Sequence, residues 1–173
     1  MRLLTIQSKK VLNILRSNKT YMADFYHMNH LQLHNVEAYQ LLMDYLQYKY
    51  VPIFCVVFNR LASFKNAHVI KGSVILDLNV PNEFIKLQSV YAWNDLQSTL
   101  FYVCLNDQNR YRKISESLNP DWTDNKLFTI QAILPYIEPD WVTCAYKYDK
   151  DFVKTFNDGV LLNDWVTNDL EVL

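Results

Sequence analysis

The chain has 173 residues, half of them apolar, with 17 basic and 18 acidic side chains. This length and composition predict one globular domain over residues 1–173, and they exclude a disordered chain and a strongly basic nucleic-acid-binding domain. Only two residues are glycine, whereas a Gly-rich dinucleotide turn or a P-loop needs several within a few residues, so both motifs are excluded as well.

The first predicted elements are a strand at RLLTIQ and a helix at KKVLNILRSN. Ser8 is a candidate N-cap for this helix, whose apolar residues Val11, Leu12 and Leu15 share one face. The next segment, KTYMADFYHMNHLQLH, has no regular apolar period, which predicts a long connection. A second helix is predicted at VEAYQLLMDYLQYKY, capped by Asn35, because its apolar residues follow the spacing of an amphipathic helix.

The remaining segments mix strands and helices without a regular βαβ alternation, which predicts an α+β fold. Strands are predicted at PIFCVVF, SVILDLNV, EFIKLQ, KLFTIQAIL and DWVTCAYKY. A helix is predicted at VYAWNDLQSTLFYVCLND, continuing into QNRYRKISESLN and ending at Asn119–Pro120. The acidic tail after Gly159 predicts a closing helix.

The three cysteines, Cys55, Cys104 and Cys144, lie far apart among apolar residues. This pattern predicts buried free thiols in a reducing compartment. No stretch approaches about 18 consecutive apolar residues, and LLTI is too short for a signal-peptide core. We therefore expect a cytoplasmic protein with no membrane segment.

The tripeptide Thr-Ile-Gln occurs twice, at residues 5–7 and at residues 129–131. Because side chains alternate along a strand, Thr5 and Gln7 point to one face, and Thr129 and Gln131 do the same in the later strand. Two interpretations are open. Each pair is a half-buried polar row within its own strand, or the two strands lie side by side and form the floor of a ligand cleft.

Two further clusters have a functional and a structural interpretation. The spacing of His27, His30 and His34 would let three imidazoles meet on a helix face and bind zinc, but histidines in a connection are more often surface or cleft residues, so no metal site is predicted. RYRK at residues 110–113 combines cations with Tyr111 and would suit phosphate or base contacts. Such a short basic turn is more often a solvated helix face, so nucleic acid is the alternative partner at this segment.

The segments RLLTIQSKKVLNILRSNKTYMAD, PIFCVVF, VILDLNVPNEFIKLQSVYAWNDL and TIQAILPYIEPDWV together resemble an uncharacterised family of small bacterial proteins that open with a Thr-Ile-Gln strand. The resemblance spans nearly the whole chain. Since that family has no assigned activity, it implies a fold rather than a function.

The opening strand, the VLNIL helix and the loop ending in Tyr21 are also similar to the ADP-ribosyltransferase superfamily. This resemblance implies an α+β domain with a mixed or antiparallel split sheet and flanking helices, and it implies NAD as substrate. By position, Thr5 and Gln7 would clamp the ribose, Tyr21 would stack on nicotinamide, and His27 would belong to the same cofactor site.

In that superfamily a late strand carries a catalytic glutamate near the ribose hydroxyl. Gln131 falls at this position, which is a departure because an amide cannot stabilise positive charge as a carboxylate does. Glu138 is the other acidic candidate. The resemblance implies an ADP-ribosyltransferase of the toxin or defence type, with nucleic acid or protein as acceptor and an antitoxin as partner. The alternative is a non-catalytic protein-binding or regulatory module.

Overall fold

The computed structural model describes residues 1–27, 33–57, 73–102, 106–119, 130–147 and 170–171. The helices are α1 (Lys9–Arg16), α2 (Leu33–Leu46), α3 (Val90–Tyr102) and α4 (Asp107–Ser117). The strands are β1 (Arg2–Ser8), β2 (Ile53–Val57), β3 (Ser73–Asn79), β4 (Lys86–Ser89), β5 (Ile130–Leu134), β6 (Val142–Lys147) and β7 (Leu170–Glu171). The predicted α+β class is confirmed.

The chain divides into two compact units. The sheet unit comprises Met1–Tyr21, Cys55–Glu83 and Ile137–Leu173, and the helical unit comprises Met22–Phe54 and Phe84–Tyr136. Strand β2 contributes residues to both. None of the helices in the described ranges has the length and hydropathy that a membrane span requires.

In the sheet unit the strand order is β2-β1-β3-β6-β7, and these strands pair in antiparallel fashion. Strand β3 is central, and its residues from Val74 to Leu78 are all buried. Burial on both faces explains why SVILDLN reads as a nearly continuous apolar run. Leu4 of β1 and Cys144 of β6 both stand opposite Asp77 of β3, and the register between β3 and β6 shifts after Asp77.

In the helical unit, α2, α3 and α4 pack around one apolar cluster, and β4 pairs with β5 in antiparallel fashion. Tyr39, Phe54 and Trp93 meet with ring centroids 5.4–5.5 Å apart, a separation typical of stabilising aromatic pairs. The fully or nearly fully buried members of the cluster are Ala38, Leu42, Trp93, Leu96, Ile114 and Ile133.

The helix ends show which sequence signals were right. Ser8 caps α1, as predicted, because its Oγ accepts a hydrogen bond from the Val11 amide at 3.4 Å. The predicted cap at Asn35 is wrong, since α2 already begins at Leu33. Asn106 caps α4, with its Oδ1 accepting from the Asn109 amide at 3.0 Å, and the sequence patterns missed this cap.

The predicted closing helix in the tail lies largely outside the described residues. Where the tail is described, at Leu170–Glu171, it is the short strand β7 rather than helix. Its pairing with Ala145 and Tyr146 of β6 explains the difference, because an available sheet edge satisfies the backbone hydrogen bonds of these residues.

Candidate functional site

Thr5 and Gln7 lie on β1 in the sheet unit and contact each other. The Gln7 Nε2 donates a hydrogen bond to the Thr5 Oγ1 at 2.9 Å, and Thr5 is only 2% exposed. Burial raises the pKa of the neighbouring Cys55 thiol to about 12, although a side-chain hydrogen bond with Thr5 acts in the opposite direction. Thr5 is therefore part of the core, and Gln7, which is half-buried, is the more accessible of the two.

Gln131 lies on β5 in the helical unit and belongs to a chain of polar contacts. Its Nε2 donates to the Gln88 Oε1 at 2.8 Å, the Gln88 Nε2 donates to the Ser117 Oγ at 3.1 Å, and Ser117 donates in turn to the main-chain oxygen of Ile114 at 2.8 Å. Gln88 and Ser117 are completely buried. This network joins β5, β4 and α4, and it engages the Gln131 amide in a structural role.

Of the two interpretations of the repeated Thr-Ile-Gln, the one that places its strands side by side is wrong. Strand β1 has β2 and β3 as its two neighbours, so β5 does not pair with it. Thr129 lies outside the described residues. The structural interpretation, with each polar pair satisfied near its own strand, fits Gln7 and Gln131 better than a shared floor.

Tyr21 and Glu138 are brought together in the sheet unit by a short antiparallel bridge. The Tyr21 amide donates to the Ile137 oxygen at 2.8 Å, and the Ile137 amide donates to the Tyr21 oxygen at 2.9 Å. The Thr20 Oγ1 donates to the Glu138 Oε2 at 2.6 Å. An aromatic ring and a carboxylate, both half-buried, therefore lie on two adjacent stretches of chain.

The histidine cluster is only partly within the described residues. The backbone of His27 ends a short 3-10 turn at Phe25–His27, its side chain is outside the description, and so are His30 and the side chain of His34. In the parts of the chain that the structure describes, no three side chains of His, Cys, Asp or Glu gather in a way that could hold a metal.

The basic turn of α4 has each of its cations paired with an acid. Arg110 contacts Glu37 at 3.0 Å, and Lys113 contacts Asp95 at 2.5 Å. Arg112 lies 3.6 Å from Glu116 one turn along the same helix. The positive charge that suggested phosphate contacts is thus balanced locally.

The helical unit exposes large aromatic side chains. Tyr102 is 79% exposed and Tyr91 is 62% exposed on α3, and Tyr45 on α2 lies 6.3 Å from Tyr111 on α4, centroid to centroid. Tyr39 does not belong with these exposed rings, because it packs into the unit and burial raises the pKa of its hydroxyl to about 12. We call the outward-facing set the aromatic residues of the helical unit; they are Tyr26, Tyr45, Tyr91, Phe101, Tyr102 and Tyr111.

A pocket of about 390 Å³ lies in the sheet unit, lined by Arg2, Asp77, Asn79, Thr143 and Cys144. The Arg2 Nε donates to both oxygens of Asp77 at 2.9 and 3.0 Å, and Nη2 donates to Oδ2 at 2.5 Å. The sequence patterns missed this pocket. The only available signal was one carboxylate inside the otherwise apolar run SVILDLN, where a buried acid needs a partner.

No family model, curated protein or solved structure matches this chain. Any function assigned to it therefore rests on the contacts of its own residues.

Proposed function

We propose that this protein is a non-catalytic binding module whose helical unit holds a protein partner through its aromatic residues. The exposure of these side chains on α2, α3, α4 and the short turn Phe25–His27 is the observation that carries the proposal. Covering a large exposed aromatic ring with a partner lowers the free energy of the complex. A tyrosine ring can be covered in this way while its hydroxyl still reaches solvent or a hydrogen-bond partner.

The charges beside these rings favour a neutral, apolar protein segment as the occupant. Arg110, Arg112 and Lys113 each pair with an acid, so a polyanion would have to compete with existing ion pairs. Nucleic-acid binding depends on neutralising phosphates with available cations. An apolar segment needs no such exchange and would cover rings such as Tyr102 and Tyr111.

The test replaces Tyr102, Tyr111 or Gln40 individually with a photo-crosslinking amino acid. All three positions are exposed in the helical unit, and Gln40 is the matched control outside the aromatic set. We expect one discrete crosslinked protein from positions 102 and 111, and none from position 40. Excess wild-type protein should suppress that crosslink, whereas the Tyr102→Ser, Tyr111→Ser double variant should fail to compete.

Equal crosslinking at all three positions, or equal competition by the double variant, would contradict the proposal. Crosslinking of the chain to itself would identify a second copy as the occupant and would also count against a separate partner. The double variant should keep the melting temperature of the wild type, because exposed side chains contribute little to folding stability.

A second candidate function is NAD-dependent transfer of ADP-ribose, as in a toxin or defence effector. The adjacency of Tyr21 and Glu138 supports it, because this chemistry places an aromatic ring against nicotinamide and a carboxylate near the ribose. The bond between nicotinamide and the ribose C1′ breaks and nicotinamide leaves, while a nucleophile of a protein or nucleic-acid acceptor forms the new bond to C1′ and gives up its proton. Glu138 rather than Gln131 would supply the carboxylate, since Gln131 is engaged with Gln88.

This second candidate is tested by following fluorescent etheno-NAD turnover and NAD-dependent thermal shifts. Glu138→Gln removes the carboxylate that would stabilise the developing positive charge, so turnover should fall by about 10²–10³-fold. Glu83→Gln, an exposed glutamate of the same unit, is the matched control and should leave turnover unchanged. A wild-type protein that neither turns over NAD nor shifts its melting temperature with it would eliminate this candidate.

A further inference from the structure

Helix α4 is attached to the rest of the helical unit by little apolar contact. Ile114 is its buried apolar residue, and its other buried residue, Ser117, is polar. Leu118, just after the helix, packs against the apolar cluster but is only half-buried. The neighbouring helices bury more apolar side chains, which are Ala38, Leu42 and Met43 on α2 and Trp93 and Leu96 on α3. Because packing of an apolar face supplies most of the stability of a helix in a protein, α4 is the most weakly packed of the three.

Two ion pairs join α4 to α2 and to α3. Arg110 contacts Glu37 of α2 at 3.0 Å, and Lys113 contacts Asp95 of α3 at 2.5 Å. The side chain of Glu37 is 40% exposed and that of Asp95 is 63% exposed, so water and dissolved ions compete for these charges. The attachment of α4 is therefore sensitive to ionic strength.

The buried polar contact beneath α4 is one that water can replace. The Gln88 Nε2 of β4 donates to the Ser117 Oγ of α4 at 3.1 Å. If α4 moved away, both groups would become accessible to water, so neither would be left buried without a hydrogen-bond partner. Gln88 would also keep the hydrogen bond that it accepts from Gln131 of β5. Separation of α4 thus avoids the cost that normally opposes breaking a buried hydrogen bond.

We propose that α4 is a lid on α2 and α3, which opens as a unit when its ion pairs to these helices are weakened. Segments with few buried apolar contacts open at a lower free energy than the whole protein unfolds. In the open form α2 and α3 stay in contact through Tyr39 and Trp93, whose ring centroids are 5.5 Å apart. Opening separates Tyr111 of α4 from Tyr45 of α2, and it does not depend on the proposed protein binding.

The experiment measures hydrogen exchange of the backbone amides of α2, α3 and α4 by mass spectrometry. It compares about 0.1 M with about 1 M sodium chloride, because the screening length falls from about 10 Å to about 3 Å between them. In the wild type we expect α4 to exchange faster than α2 and α3. High salt should speed the exchange of α4 by roughly threefold, since it weakens the two ion pairs, and should leave α2 and α3 nearly unchanged.

Reversing one charge should reverse the effect of salt. Asp95→Lys places two cations together, so α4 should exchange roughly tenfold faster than in the wild type at low salt, and high salt should now slow it. Adding Lys113→Glu restores an ion pair of opposite polarity and should restore the slow exchange. Glu116→Lys is the matched control, because it changes the charge equally but breaks a pair with Arg112 inside α4.

The proposal fails if salt leaves the exchange of α4 unchanged in the wild type, or if the double variant exchanges as fast as Asp95→Lys. An equal effect of Glu116→Lys would mean that α4 unwinds in place rather than separating from α3. Exchange of α2 and α3 together with α4 would show that the helical unit opens as a whole, which would also contradict a lid.

Discussion

Cys55 and Cys144 are alike in the sequence but differ in their surroundings, and this difference predicts their reactivity. The thiolate is the reactive form of cysteine, and burial raises the pKa of the Cys55 thiol to about 12. In the native protein at mildly alkaline pH, we expect iodoacetamide to modify Cys55 more than about a hundredfold more slowly than Cys144. Site-resolved mass spectrometry over a time course measures both rates.

The control is the same reaction in denaturant, where both thiols should react at similar rates. In Cys144→Ser, the native modification of Cys55 should stay slow. Rapid alkylation of Cys55 in the folded protein would mean that β2 does not bury it as described.

The sequence predicted buried free thiols, and this is confirmed for Cys55. Cys144 is also a free thiol, as predicted, but it is half-buried rather than buried, and Cys104 lies outside the described residues. PIFCVV reads as a buried strand because apolar residues occupy both faces. In VTCAYK, Thr143 is exposed next to Cys144, and apolar neighbours in sequence did not indicate the open pocket beside this strand.

At the scale of elements, two helices end in a residue with a left-handed backbone that is not glycine. Asn18 has φ of 56° after α1, and Gln47 has φ of 55° after α2. After α2 the Tyr48 amide donates to the Met43 oxygen at 2.9 Å and the Gln47 amide donates to the Asp44 oxygen at 3.4 Å, which is the hydrogen-bond pattern of a Schellman motif. Asparagine tolerates this backbone better than glutamine does.

Gln47→Gly should therefore stabilise the protein. Glycine adopts positive φ without the steric cost of a Cβ, and the gain is reduced by its greater freedom in the unfolded chain. We expect the free energy of unfolding to rise by roughly 1 kcal/mol and the melting temperature by roughly 2–4 °C. Thermal and denaturant unfolding measure both quantities.

Gln40→Gly is the matched control, because Gln40 is exposed inside the same helix. There the same substitution should lower the free energy of unfolding by about 1 kcal/mol, and loss of the Gln40–Asp44 side-chain hydrogen bond adds to the decrease. Two substitutions with effects of the same sign would rule out the left-handed conformation at Gln47 as the cause.

Local patterns predicted most elements but, apart from the start of α1, not where helices begin or end. Ser8 was identifiable because a short hydroxyl side chain preceded an amphipathic run. The C-terminus of α2 was not, because a chain with two glycines ends this helix with Gln47, a residue type with no preference for that position. The capping role of Asn106 was hidden because the predicted helix ran through it.

At the scale of the whole molecule, the class of fold followed from the mixture of patterns, whereas strand order did not. Periodicity indicates which face of a strand is buried but not which strand lies next to it. Strand β1 pairs with β2 and β3 rather than with β5, so the two Thr-Ile-Gln copies acquired different partners. This strand order rules out the candidate site inferred from the repeat. Tyr21 and Glu138 are instead brought together by a β-bridge that no sequence pattern indicated.

Replacing the glutamine with alanine is expected to lower the free energy of unfolding by different amounts in the two copies of Thr-Ile-Gln. In Gln131→Ala the Gln88 Oε1 loses the donor described above while Gln88 stays fully buried, so the free energy of unfolding should fall by roughly 1–3 kcal/mol. In Gln7→Ala the lost hydrogen bond joins two residues of one strand, and Thr5 keeps a further contact with Cys55. We expect a loss below about 1 kcal/mol there.

Denaturant unfolding of both single variants measures this difference, and the Gln88→Leu, Gln131→Leu double variant provides the control. Gln131→Ala leaves the buried Gln88 Oε1 without a donor, whereas the double variant replaces both partners with apolar side chains. The free energy of unfolding should therefore fall less in the double variant than in Gln131→Ala. Equal losses for Gln7→Ala and Gln131→Ala would mean that the network from β5 to α4 contributes no more than a hydrogen bond within one strand.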